Sequence, residues 1–208
     1  MPEKPDPVTL QHALLGLLAR RPLSGWEILK RFGRYVVFFW NAKRSQIYAE
    51  LRRMEGLGLL ASQVTVQQGR PNKRHYEITA AGEEALRSWL DRPTPAAPIK
   101  DEMLLRTFYA DLLPPERAVL YLRRHGGEHR RIQEEFEGIK AALETRYGAL
   151  AATSDEALAC GYLVLEQGVR YERMYAEWCE WAAAELERRA ARGPTAQATE
   201  PADFIMTS

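Results

Sequence analysis

The sequence predicts a mostly α-helical protein with a small β-hairpin. An N-terminal unit of short helices plus a hairpin is followed by a C-terminal unit of antiparallel helices. Three observations predict it. Apolar residues recur at helical spacing up to about residue 57. The period then switches to two over residues 60–78. Beyond a proline-rich stretch at residues 91–99, every segment is helical again.

The elements follow in chain order. Leu10, Leu14, Leu17 and Leu18 mark a first helix over residues 9–20, closed by Arg21-Pro22. His12 reads as a surface residue of it. Ser24-Gly25-Trp26-Glu27 is a capping box that opens a second helix ending near Gly33. Asn41 is a candidate cap for a third, running to about Leu57. Ile47, Leu51 and Met54 form its apolar stripe, and Gln46, Ala49, Glu50, Arg52 and Arg53 its outer face. Gly58 suits the left-handed C′ position, with Leu59 behind it. Leu60 to Val66 and Arg74 to Ile78 alternate as two strands around the turn-rich tip 68–73. Thr79 caps a helix over residues 80–91. The prolines Pro93, Pro95 and Pro98 make a linker over 92–99. Helices are expected over residues 100–112, from Pro114-Pro115-Glu116 onward, and from about 155 to 191. Residues 192–208 read as a disordered tail.

Composition narrows the classes. An apolar fraction of 46% with 27% charged residues suits a globular protein. No run reaches the roughly 20 apolar residues of a membrane span. Residues 1–7 lack the basic start and apolar core of a signal peptide. Cys160 and Cys179 show no metal or redox spacing, which points to a reducing cytoplasm. The charge is unevenly placed. Residues 1–91 carry net +5 (14 basic, 9 acidic) and residues 92–208 net −4 (15 basic, 19 acidic). Residues 43–74 alone hold seven cations against Glu50 and Glu55. Such a patch can be a solvated face, but it can also meet phosphate.

Three short helices and a hairpin are the order of a winged helix-turn-helix. In that motif the N-terminal end of the third helix reads base edges in the major groove. Lys43, Arg44, Ser45 and Gln46 occupy that end. Gln46 can pair with adenine and a cation with guanine, while the small Ala49 permits close approach. Arg52 and Arg53 extend the cationic face. Arg70, Asn72, Lys73 and Arg74 on the wing suit phosphates or a minor groove. Tyr48 either flanks the core or reaches the DNA backbone; the contact is the favoured reading.

The N-terminal half resembles the PadR family of bacterial transcriptional regulators. The matching segments are Ala13-Leu14-Leu15-Gly16-Leu17-Leu18, Pro22-Leu23-Ser24-Gly25-Trp26-Glu27-Ile28, Ser45 to Glu55, and Arg74 to Gly82. Asp111 to Glu116 and Gly168 to Glu172 resemble the helical half of that family. The resemblance spans about residues 10–190. It implies a homodimer on a double-stranded DNA operator that represses transcription, with release by a small, here aromatic, effector. Trp26 stands where the family commonly has Tyr, and Ser45 where it often has Gly, so the operator does not carry over.

The last helix carries two apolar stripes. One contains Leu158, Tyr162, Leu165, Val169, Ala176 and Ala183; the other Leu163, Met174, Trp178 and Trp181. A helix apolar on two sides needs two covers. Its own chain can supply one and a second copy the other. Leu158, Tyr162, Leu165, Val169, Met174, Trp178 and Trp181 are therefore the expected dimer residues. The aromatics Phe108, Tyr109, Tyr121, Tyr162, Tyr171, Tyr175, Trp178 and Trp181 read as core before effector pocket. Tyr35, Phe38, Phe39 and Trp40 read as a hydrophobic join. His125-Gly126-Gly127-Glu128-His129 has the HxxEH pattern of some zinc hydrolases. Arg123, Arg124, Arg130 and Arg131 would repel a dication, the two glycines interrupt the helix, and no third ligand is evident. No metal, cofactor or enzymatic activity is expected. The competing reading is a non-catalytic helical interaction module that retains a winged fold.

Overall fold

The computed structural model describes residues 7–36, 42–65, 73–94 and 100–192. It falls into two compact units, Met1–Ala97 and Pro98–Ser208. The wing tip at 66–72, including Arg70 and Asn72, lies outside the described residues, as do Phe38, Phe39, Trp40, Asn41 and the expected disordered tail from 193 onward.

The first unit begins with α1 (Pro7–Leu18) and a two-residue strand β1 (Leu23–Ser24). α2 (Gly25–Arg31) follows and runs into a π turn, Phe32–Val36, so the backbone continues past Gly33 instead of ending there. α3 is Arg44–Gly56, β2 Leu60–Thr65, β3 Lys73–Ile78 and α4 Ala80–Leu90. The three strands form one antiparallel sheet in the order β1-β3-β2. β1 pairs Leu23 with Tyr76, and the hairpin pairs Leu60 with Ile78 through to Thr65 with Lys73. The sequence suggested two strands only. Two residues after Pro22, the second of them the cap of α2, are too few to show alternation, and β1 exists because β3 offers it an edge.

One aliphatic core closes this unit. Leu10, Leu14, Leu15, Leu18, Leu23, Ile28, Ile47, Leu51, Met54 and Leu60 are buried in it with Tyr76. Two surface assignments are overturned. His12 is only 6% exposed, because the Trp89 ring of α4 stacks on it at 4.6 Å. Glu50 is 7% exposed instead of facing out. It tolerates burial because Arg53 donates to both its oxygens, at 2.9 and 2.6 Å. Gly58, at φ 71°, takes the left-handed position after α3, and the Leu59 amide bonds back to the Met54 carbonyl at 3.0 Å.

The second unit opens with α5 (Glu102–Phe108), where Asp101 accepts from the Met103 and Leu104 amides at 2.7 and 3.2 Å. A single 3₁₀ turn, Ala110–Leu112, ends the helical stretch expected through 112. α6 is Pro115–Tyr147, with Pro115 at its first turn; the turn Leu150–Ala152 leads to α7, Glu156–Arg192. The pair is antiparallel: Arg123 meets Glu187, His129 meets Glu172 and Lys140 meets Glu166. α6 passes through Gly126-Gly127 unbroken, against expectation. The reason is at Gly126, where a Cβ would lie 2.9 Å from the Cys179 Cβ: glycine lets the two helices close up. Gly168 does the same under the Phe136 ring. Burial there pushes the Cys179 thiol up to about 11, away from the reactive thiolate. No helix among the described residues is long and apolar enough to cross a membrane.

Candidate nucleic-acid interface

α3 is held on the first unit by its apolar side. Ile47, Leu51 and Met54 are buried, while Lys43, Arg44, Ser45, Ala49, Arg52 and Arg53 are exposed. The helix starts at Arg44, three residues after the expected cap Asn41, and Lys43 is its N-cap residue. Gln46 supplies the capping contact: its Oε1 accepts the Lys43 amide at 2.7 Å. That oxygen is thus engaged in the helix start, and bidentate pairing of Gln46 with adenine requires the cap to open.

The cations divide into held and unheld. Arg53 is tied by Glu50 and by Gln11 of α1, to which its Nη2 donates at 2.7 Å. It fastens α3 to α1, and the Glu50 carboxylate holds its guanidinium charge more firmly than usual. Arg74 donates to Ser62 at 2.8 Å and lies 3.2 Å from Glu55, so it links β3 to β2 and to the end of α3. Lys73 lies 3.7 Å from Glu27. Lys43, Arg44 and Arg52 make no ion pair among the described residues. Their charges are not matched by a carboxylate among the described residues.

Tyr48 takes a position between the two readings. It is half-buried against the core, and a Cβ at Gly25 would meet its Cε1 at 2.8 Å and its hydroxyl at 3.2 Å. The ring therefore lies across the first residue of α2, and the Arg44 guanidinium sits 5.7 Å above it. Gly25 is the residue that lets α2 and α3 meet, a role that the sequence alone does not signal.

Ser24 and Glu27 form the capping box that the sequence shows. The Ser24 amide donates to Glu27 at 2.9 Å, its hydroxyl donates to the same oxygen, and the Glu27 amide donates back at 3.3 Å. These donors, Ser24 hydroxyl first, lower the Glu27 carboxyl to about 2, and Lys73 adds to the effect. The charged carboxylate joins the start of α2 to the base of the wing.

In the second unit, the α7 stripe of Tyr162, Val169, Ala176 and Ala183 is buried, and Leu158 and Leu165 are half-buried. The Tyr162 hydroxyl donates to the Gly148 carbonyl at 2.8 Å. An intermolecular role for Tyr162 and Val169 is therefore corrected: their own chain covers them, and they have no surface left for a partner. Leu163, Met174 and Trp181 stay exposed, Met174 at 52% and Trp181 at 61%, while Trp178 packs partly against the core. Of the aromatics, Tyr175 is in that core, whereas Phe108, Tyr109 and Tyr171 are exposed.

Comparison with known proteins matches both units. Residues 14–88 fit the family described as Transcriptional regulator PadR-like, and residues 99–187 the one described as Virulence activator alpha C-term. A Mycobacterium tuberculosis protein described as a transcriptional regulator is 30% identical over 192 residues, 88% of this chain and 100% of that one. The negative transcriptional regulator PadR of Bacillus subtilis is 29% identical over 181 residues, 86% of this chain and 98% of the relative. The crystal structure of that B. subtilis protein with operator DNA superposes with a TM-score of 0.77, at 28% identity over 86% of this chain and 99% of the other. Its structure with p-coumaric acid gives 0.74, at 27% identity over 88% and 98%.

Proposed function

This chain belongs to the PadR-like family of transcriptional regulators, and on that premise we propose that it binds a double-stranded DNA operator as a homodimer and represses transcription. The observation that carries the reading is the two-sidedness of α3. Its apolar face is anchored in a closed core, and its other face presents Arg44 and Arg52 beside Lys43. Lys43, Arg44 and Ser45 enter the major groove from the helix start, with Gln46 contributing its amide nitrogen. Exposed Ala49 permits close approach, and Tyr48 offers its hydroxyl to the backbone. Arg52 meets phosphate, and Arg53 orients the helix. Arg70, Asn72, Lys73 and Arg74 place the wing on the adjacent backbone.

Residues 8–91 do the reading, 92–99 link, and 100–191 dimerise. The second copy covers the exposed α7 face around Leu163, Met174 and Trp181, so that two winged units address half-sites about 34 Å apart. Repression follows the B. subtilis relative, whose name is that of a negative regulator. A small aromatic effector follows the p-coumaric acid complex of the same protein. The reading places the protein in the cytoplasm and assigns it no enzymatic activity.

Titration of DNA binding against salt tests this. Phosphate contacts make log affinity fall steeply with log salt, by about 0.9 per phosphate neutralised. A flat dependence would instead favour a protein-interaction module.

A further inference from the structure

The HxxEH segment does not behave as its sequence suggests. Four neighbouring arginines and two glycines argued against an ion there. In the structure α6 is continuous, Arg123 pairs with Glu180 and Glu187, Arg124 with Glu128, and Arg131 with Glu135. The helix brings His125 and His129 onto one face, one turn apart. Their Nε2 atoms lie 3.2 Å from each other. Two imidazole nitrogens on one tetrahedral zinc, each at about 2.0–2.1 Å, are separated by roughly 3.3 Å.

The surroundings fix the tautomer a ligand needs. Nδ1 of His129 donates to the Glu172 carboxylate of α7, which turns the Nε2 lone pair toward His125. A carboxylate behind a histidine is the usual support of a metal-bound imidazole. The Tyr175 ring stacks on His129 at 4.2 Å and fixes its plane. The Tyr175 hydroxyl donates to Asp101 at 2.5 Å, and the Tyr171 ring lies 6.3 Å from that of His129. Both histidines are partly buried, His129 with 14% of its side chain exposed.

We propose that His125 and His129 bind a borderline transition-metal dication of the zinc or nickel class, with Glu172 as the outer carboxylate. Among the described residues no group of three or more His, Cys, Asp or Glu is placed to hold a metal ion. The protein thus gives two nitrogens, and water fills the other positions. The site binds and does not hydrolyse, because Glu128 is exposed on Arg124 at 3.7 Å. Through Tyr175 it communicates with Asp101, the cap of the first helix after the linker.

Calorimetric titration of tag-free, full-length protein with zinc chloride and then nickel chloride tests it. The expected result is one saturable site per chain. His129→Ala and His125→Ala each abolish it, His75→Ala leaves it intact, and Glu172→Gln weakens it about 10–100-fold. Circular dichroism confirms that each variant is folded; His125→Ala keeps the His129–Glu172 contact if His129→Ala does not fold. Absence of saturable binding to the wild type overturns the proposal, and so does binding that survives loss of either histidine.

Discussion

The two units bury their apolar residues in different ways. The first wraps α1, α3, α4 and the sheet around one aliphatic cluster and closes it. The second lays two helices of 33 and 37 residues side by side, and each has only one face covered. Leu104, Leu105, Phe108, Leu112, Leu120, Leu163, Met174 and Trp181 remain exposed. A closed core frees the outside of α3 to carry charge. An open core leaves apolar surface that a monomer rarely keeps unless something covers it. On the proposed function, reading falls to the closed unit and pairing to the open one.

The largest effect is expected where the open face is charged. Met174→Asp combined with Trp181→Asp puts two carboxylates into the proposed interface. Sedimentation should show a monomer, and operator affinity should fall about 10²–10⁴-fold as the second half-site contact is lost. A variant that still sediments as a dimer moves the interface elsewhere.

The closed unit should break from within. Leu51→Ala removes a fully buried side chain and should cost about 2–5 kcal/mol in denaturant unfolding. Gly82→Ala is a second probe, since its Cβ would fall 2.3 Å from the Leu59 carbonyl oxygen, a backbone atom that cannot step aside. It should cost about 1–3 kcal/mol. Wild-type stability in either variant would show that this core is less tightly closed than described.

Arg52→Ala tests the outer face without touching the core. It should weaken operator binding uniformly across sequences and reduce the salt slope by about 1. Arg53→Ala should instead lower stability, because it leaves Glu50 buried and unpaired. The two neighbouring arginines are thereby separated by which measurement each one moves.

The smallest effect concerns pH. The Glu27 carboxyl is lowered from 4.5 to about 2 in the folded protein. Its stabilisation is complete above the unfolded value and is lost as pH falls from about 4.5 toward 2. Glu27→Gln should flatten the acid limb of the stability curve over that window. An unchanged limb would mean that the capping box contributes through hydrogen bonds alone.

What the sequence makes legible follows from range. The capping box of Ser24 and Glu27, the left-handed Gly58 and the stripe of Ile47, Leu51 and Met54 are local patterns, and each stands where it was expected. What was missed depends on partners distant in the chain. β1 exists through β3, His12 is buried by Trp89, and the Arg53 that covers Glu50 is itself held by Gln11 of α1, 42 residues away. Gly126 looked like a helix breaker because its compensation, Cys179, lies 53 residues away. The candidate interface was legible as a set of residue types. Which of its cations are already engaged was not, since Gln11, Glu55 and Glu27 take their share only in the folded unit.

Selection of bound sequences from a random double-stranded DNA pool tests the central claim most directly. A closed reading unit paired through an open helical unit predicts a two-fold symmetric consensus, with half-site centres about one helical turn, 10–10.5 base pairs, or a multiple of it apart. Enrichment of a single asymmetric half-site, or of nothing, would contradict it.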